Sequence, residues 1–478
     1  MVRVLTNAAA HERSLRKVER QRPIMARRHF LPMPSTQKLD THHKALTLNL
    51  DAAAFGSFAE IGAGQEVARW FLRVGGASGT VAKTISAYDK EVSDDLYGSG
   101  SRYVSKERLG AMLDSEWNQL LAQLGKTHGQ QTRFFCFVDT VAARNFAGTN
   151  DANGWMGLRF QLQPGGPPND ILLHINMRDP SNDLQQEAIG ILGVNLIHAA
   201  FYEVQIKESF LEDLAEDVVP ERIEIDYVDL HGPAFDTWDR RALMVHLVRA
   251  RFAEGVFFPA KGPVVPPSEV LHKKAVALAP GLFTHTDSVH ANVHLRLLAA
   301  GVQELQGELG EAKPAPAGFF CLTVAALTPK DQAPEIDDLL RRIDALGAAG
   351  GDVLLFAQPE LYHMIALVNR YTQEPVRFVV GVSLLIRAFE DVYGNLAGRL
   401  LEALARLFAE NVRIYVFPMT AADMREWLKS TSFTGWEWSE TNGWVSISQV
   451  RRAGPIGYLF AYLLASNFLV PMPAPVEA

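Results

Sequence analysis

The chain has 478 residues, 48% apolar and 21% charged, with a mean hydropathy near zero. That is the composition of a globular protein of two or three domains, and it excludes collagen-like, disulfide-stapled and polytopic membrane classes. Residues 1–34 hold eight Arg/Lys against Glu12 and Glu19, a local charge of +6 within a net −8. The remaining body is therefore strongly acidic, which argues against nucleic acid as its partner.

In chain order, residues 1–36 read as a basic flexible arm. Residues 37–130 mix glycine-rich loop with helical apolar spacing at Val67–Val74 and Glu107–Leu124. Arg133–Val141, Trp155–Gln163 and Ile171–Met177 read as strands of an antiparallel meander, punctuated by Asn-Asp-Ala-Asn-Gly and Pro-Gly-Gly-Pro-Pro. A helix is expected over Asp183–Val204, a strand over Glu221–Leu230 and an amphipathic helix over Asp236–Ala253. Val256–Leu278 has strand-like ends around a proline-rich loop. Residues 303–317, with Pro314 and Pro316, read as a linker between a 37–302 domain and a 318–478 domain.

Beyond the linker the pattern changes. Phe319–Val324, Asp352–Ala357, Val376–Val382 and Val412–Phe417 are short apolar runs separated by helical patterns at Glu335–Leu346, Glu360–Tyr371 and Ile386–Ala409. Strands apolar on both faces and alternating with helices imply a layered, mostly parallel sheet. The fold class expected is mixed α/β: an N-terminal α+β part with the meander, and a C-terminal layered α/β domain closed by a buried helix. Ligands of such sheets gather at the carboxyl ends of strands, here near Gln358, Gly381–Ser383 and Pro418–Thr420. Gly454–Met472 is uncharged, but Pro455 and Pro471 trim it to about 15 helical residues, short of the ~20 that span a bilayer. Cys136 and Cys321 each sit in an apolar run and read as buried thiols, which fits a reducing cytoplasm.

The densest polar signal is residues 56–89, where Gly56, Gly62, Gly64, Gly75, Gly76 and Gly79 are interleaved with charges and hydroxyls. A dinucleotide loop G-x-G-x-x-G needs a third glycine, and Val67 stands there. The acidic-x-Gly-x-Gly core of a methyltransferase loop is matched by Glu60, Gly62 and Gly64, but its next glycine is Glu66. An adenylyltransferase motif would need histidines where Gly62 and Gln65 stand. A P-loop would need a lysine directly after Gly79, whereas Lys83 lies four residues on. What remains is an anion nest: Gly62 and Gly64, then Gly75, Gly76, Ser78, Gly79 and Thr80 leading into a helix, with Arg69 and Lys83 as cationic clamps. His43, Glu66 and Asp139 are the acid/base candidates. Glycines making turns and tight packing are the competing reading.

Other groups are weaker. Asp226, Asp229 and His231 end a strand and resemble a divalent-metal or acid/base set, but Glu224 and Asp226 alternate as on a solvated sheet face, the reading favoured here. His285, His290 and His294 invite a zinc reading, but Ala291 stands where a metalloprotease helix carries glutamate, so no metal ligand set is assigned.

The strings THHKALTLNLD (41–51), FAEIGAGQEVARWF (58–71), VGGASGTVAKTISAYDK (74–90), FVDTVAARNFAGTN (137–150) and RYTQEPVRFVVGV (370–382) resemble a family of bacterial proteins of similar length. The resemblance runs from about residue 37 to 470. Two labels occur in that family, nicotinate-nucleotide adenylyltransferase and TonB-dependent receptor. The first implies the two phosphate-stabilising histidines replaced here by Gly62 and Gln65. The second implies an export signal and an outer-membrane barrel, against the helical spacings found here. Ser383-Leu384 stands where the resemblance leads one to expect Asn-Asn.

The function expected is a cytoplasmic enzyme or binding protein for a nucleotide or phosphorylated metabolite, with cofactor unassigned. The alternative is a non-catalytic, self-assembling or partner-binding protein that uses the basic arm as its contact.

Overall fold

Residues Ala54–Gly62 are almost entirely small or apolar, and they form a strand one in from the edge of a six-stranded sheet. The computed structural model describes residues 39–100, 102–145, 152–218, 221–325, 334–409 and 411–474; the basic arm lies outside them. The first sheet comprises β1 (Ala54–Gly62), β2 (Val81–Ala87), β3 (Arg133–Ala142), β4 (Asn153–Gln161), β5 (Pro168–Met177) and β6 (Ile223–His231), in the order β2-β1-β3-β4-β5-β6. β2, β1 and β3 run parallel, and β3 to β6 form the antiparallel meander.

Its helices are α1 (Thr41–Leu50), α2 (Val67–Val74), α3 (Lys90–Tyr97), α4 (Lys106–His128), α5 (Asn182–Tyr202), α6 (Lys207–Ala215) and α7 (Arg240–Arg249). α4 covers one face through Leu109, Met112, Leu113 and Trp117, which pack on Ala59, Cys136 and Val138. α1, α2 and α5 cover the other, where Phe58, Phe71, Phe135 and Phe137 meet Ile189 and Leu192. The sheet is thus buried on both sides. Sandwiched in the core, α5 is apolar nearly all round, the pattern of a helix with no face left to solvent.

The second sheet begins earlier in the chain than the linker reading placed it. It contains β7 (Gly255–Phe258), β8 (Val276–Pro280), β9 (Ala317–Thr323), β10 (Asp352–Phe356), β11 (Val376–Gly381), β12 (Val412–Phe417) and β13 (Leu469–Pro471). Residues 303–309, assigned to the linker, are the last turns of a 22-residue helix. From Asp40 onward the described residues form one compact unit.

The order is β13-β12-β11-β8-β9-β10-β7, all parallel except β7. Leaving aside β7, the six parallel strands taken from the β10 side have chain order 3-2-1-4-5-6, the order of a doubly wound dinucleotide-binding sheet.

α8 (Pro267–Leu271), α9 (Ser288–Leu309), α10 (Ile336–Ala348), α11 (Leu361–Val368), α12 (Val382–Glu390), α13 (Arg399–Leu407), α14 (Ala421–Ser430) and α15 (Pro455–Ala465) complete the layers. α9 and α10 pack on Ala277, Phe320 and Val379. α11, α12 and α13 pack on the opposite face, against Leu278, Phe378 and Ile414. The helix expected over 386–409 is two helices, broken where Tyr393 and Arg399 adopt φ of 44° and 48°. The terminal helix is only half buried: Phe460 and Leu463 face the core, while Tyr458 and Tyr462 are exposed. No helix among the described residues is long and apolar enough to cross a membrane.

Candidate functional site

Both sheets have a point where successive connections leave in opposite directions, and such points open a crevice at the carboxyl ends of the strands. In the first sheet it lies between β1 and β3. Glu60 and Asp139 are register partners there and share a face. The Glu60 carboxylate accepts from Val67 N at 2.8 Å and Ala68 N at 3.1 Å, so it closes the N-terminus of α2 from beneath. Asp139 is fully buried, and neither of its oxygens has a hydrogen-bond partner. The loop 62–66 folds over it so closely that a Cβ at Gly64 would collide with the carboxyl group.

Burial lifts Asp139 well above the ordinary carboxylate range, and the charge of Glu60 adds to the effect. Burial also pushes Glu60 up to about 7, against the pull of its two N–H bonds. Those donors and the helix dipole favour ionisation of Glu60, so the pair holds its charge there and its proton on Asp139.

The helix N-terminus expected to cradle an anion is therefore occupied by a carboxylate of the chain itself. Gly62 lies in the left-handed region (φ 78°) at the end of β1, against the Val141 carbonyl. Val67, which breaks the dinucleotide fingerprint, is accommodated from the other side, because Gly190 and Gly193 of α5 let that helix close on Glu66, Trp70 and Val67.

The second half of the glycine block leads into strand β2, not into a helix. Gly75 (φ 88°) and Gly76 (φ 75°) make a reversal whose donors turn inward: Gly79 N and Thr80 N donate to Gly76 O and Ala77 O at 3.0 Å each. Thr80 Oγ1 donates to Leu48 O, and Asn49 Nδ2 donates to Gly75 O and Phe71 O, locking the turn onto α1. Ser78 is exposed. Lys83 points to the opposite face from Asp139, where Nζ is 2.6 Å from Glu116 Oε2.

The remaining candidates are not gathered with these. His43 is exposed at the start of α1, 2.7 Å from Asp40. Glu66 is paired on the surface with Arg69 at 2.9 Å. The structure brings together Gly62, Gly64 and Asp139, and adds Glu60, which the motif comparison used only as a letter.

The second crevice lies between β8 and β11. Their ladder ends at Leu278–Phe378. Beyond it, β8 stays with β9 as far as Pro280–Cys321, and β11 stays with β12 as far as Gly381–Phe417. The two strands therefore part over their last residues. Among the described helices that start at this edge, α9 is capped by Asp287, which accepts from Val289 N and His290 N at 3.1 Å each. α14 is capped by Thr420, and α11 has Glu360 at its N-cap. α12 starts at the parting itself: its N-cap is exposed Gly381 and, as in α11 and α15, no side chain caps it and no acidic residue occupies its first turn. Ser383 and Arg387 are four residues apart on one face, both half-buried. Arg387 has no ion-pair or hydrogen-bond partner among the described residues.

No family model matches this chain, and no curated protein matches it. Among solved structures it is similar to the competence/damage-inducible protein CihA from Agrobacterium tumefaciens, with 18% identity, 33% of this chain and 93% of that chain covered, and a TM-score of 0.22. It is likewise similar to the competence damage-inducible protein A (ComA) from Klebsiella pneumoniae, with 14% identity, coverage of 34% and 96%, and a TM-score of 0.23. A CinA superfamily protein from Enterobacter cloacae shows 10% identity, coverage of 41% and 99%, and a TM-score of 0.23. The site is read from the strand order and side chains described above, not from these likenesses.

One buried polar cluster contradicts the solvated-face reading. Glu224 and Asp226 are both buried. Glu224 is held by Arg178 at 2.7 Å and Arg370 at 2.8 Å. Asp226 is the unpaired residue of a bulge between the His174–Tyr227 and Ile175–Ile225 pairs, which aims it at His174 Nδ1, 2.6 Å away. Alternation showed which side these residues face; that the partners come from β5 and the segment after α11 was not visible in it.

Proposed function

We propose that this chain is a cytoplasmic enzyme or binding protein for a nucleotide or phosphorylated metabolite, with the phosphate seated at Gly381–Ser383 rather than on the glycine block. The observation that carries the reading is the parting of β8 and β11 directly beside the exposed, uncapped N-terminus of α12. The free N–H groups at the start of α12 and its dipole favour an anion. Ser383 adds a hydroxyl. Side chains on a helix lean toward its N-terminus, so Arg387 reaches back over the same position.

Thermal unfolding with ATP, NAD, a sugar phosphate and inorganic phosphate, each at millimolar concentration in the presence of EDTA, tests this. A ligand at 100 times its Kd stabilises the folded state by about 2.7 kcal/mol, a readable shift in Tm. Ser383→Asp places a carboxylate in the opening; it is expected to abolish the ligand shift while leaving the unliganded protein equally or slightly more stable. Absence of a shift with every probe, or a shift undiminished in Ser383→Asp, overturns the reading.

A further inference from the structure

The loop that leaves β8 at the same crevice carries a second feature. Its base is fixed where Gly281 N donates to Cys321 O at 3.1 Å and Arg342 Nη1 donates to Leu282 O at 2.8 Å. Further along the loop, His285 stacks on His290 with ring centroids 4.6 Å apart and planes within 22°. His290 Nδ1 is also 2.7 Å from Asp287 Oδ2. One ligand atom from each of His285, Asp287 and His290 falls within a 4.8 Å group, and all three side chains are exposed.

We propose that His285, Asp287 and His290 form a site for a borderline divalent transition-metal ion, of which Zn²⁺ is the representative. Imidazole and carboxylate donors suit that class, and three protein ligands leave further coordination positions open, as in catalytic rather than structural sites. Bonds of about 2.0–2.1 Å place tetrahedral ligand atoms about 3.4 Å apart. Closing from the present spacing needs only rotation of exposed side chains and exchange of the His290–Asp287 hydrogen bond for metal bonds.

A second group has the same composition. Asp40, His42 and His43 lie at the start of α1. There the histidines are consecutive, with rings 5.7 Å apart at 72°. The 285–290 group joins a loop and a helix at the edge where the sheet opens. The metal site rests on the phosphate reading only for what fills the open position, a phosphate oxygen of the bound ligand.

The test uses Zn²⁺ and Co²⁺ alone, on the full chain stripped with chelator and free of nucleotide and phosphate. One Zn²⁺ per chain is expected by calorimetry, with Co²⁺ giving the visible absorption of a site with nitrogen and oxygen donors. The His285→Ala/His290→Ala double variant is expected to weaken binding at least tenfold, and His42→Ala/His43→Ala to leave it unchanged. Circular dichroism identical to that of the parent shows that both variants fold. Equal affinity in the parent and the 285/290 variant, or a loss that follows the 42/43 pair, overturns the proposal. The phosphate reading is assayed in EDTA, so failure of one does not imply failure of the other.

Discussion

Asp139 sets the terms at the scale of single residues. A buried, ionised carboxylate with no donor is strongly disfavoured, so the group stays protonated beside Glu60. Both carboxyls have folded-state pKa values raised above those of the unfolded chain, so their stabilising contribution is complete at low pH and is lost as pH rises through the folded values. For Glu60 the loss sets in above its ordinary value of 4.5 and is complete once the pH has passed about 7. Asp139→Asn keeps the shape and removes a titrating proton. Measured by urea unfolding from about pH 5 to about pH 8, it should gain stability over the parent as pH rises; parallel profiles would show that the fold does not raise Asp139. Glu60→Ala leaves Val67 N and Ala68 N without their acceptor and is expected to cost about 1–3 kcal/mol at neutral pH.

Elements show why some of this was legible and some was not. β10, β11 and β12 announced themselves because each is an apolar run buried on both faces, and no other arrangement of short apolar runs between helices is as economical. β1 did not. Its sequence AFGSFAEIG reads as glycine-rich loop, yet Gly56 is there because β1 closes on Phe135 in the neighbouring strand, where a Cβ would strike the Phe135 carbonyl and ring. Packing demand and loop demand select the same residue, and sequence alone does not separate them.

For the same reason the candidate site moved. The glycines pointed to the first crevice, where the chain has filled the opening with Glu60. The open helix N-terminus at α12 has one glycine and one serine to mark it. Arg387 had no signal beyond its place in a helical pattern, and nothing in the sequence set Asp287 apart. The close approach of Gly64 and Asp139 gives a direct check. Gly64→Ala should cost about 1–3 kcal/mol by overpacking. In the double variant with Asp139→Ala the cost should fall well below the sum of the two single changes. Additive values would mean that the loop and β3 do not press on each other.

The two sheets share one continuous apolar core, and ion pairs also cross from the first to the second. Glu224 on β6 and Glu254 ahead of β7 share Arg178, which follows β5, and Arg370, which follows α11. Removing Glu224 leaves Arg178 and Arg370 sharing Glu254 alone and the Glu254 N–H without its acceptor, which is expected to cost about 1–3 kcal/mol. Glu224→Ala is therefore expected to destabilise both sheets together. Chemical unfolding followed by the fluorescence of Trp155 and of Trp436, each kept as the sole tryptophan, should give coincident midpoints in the parent. Separated midpoints would show that the sheets melt independently.

Each sheet also has a single cysteine near its middle, Cys136 on β3 and Cys321 on β9, both buried. Burial pushes the Cys136 thiol up to about 12 and raises Cys321 as well. A thiol attacks alkylating reagents only as thiolate, so the folded molecule is chemically silent. Its silence ends where the backbone opens, and it ends separately at each position. Pulsed alkylation with peptide mapping thus turns the two cysteines into independent clocks, one for the opening of each sheet, with no engineered label.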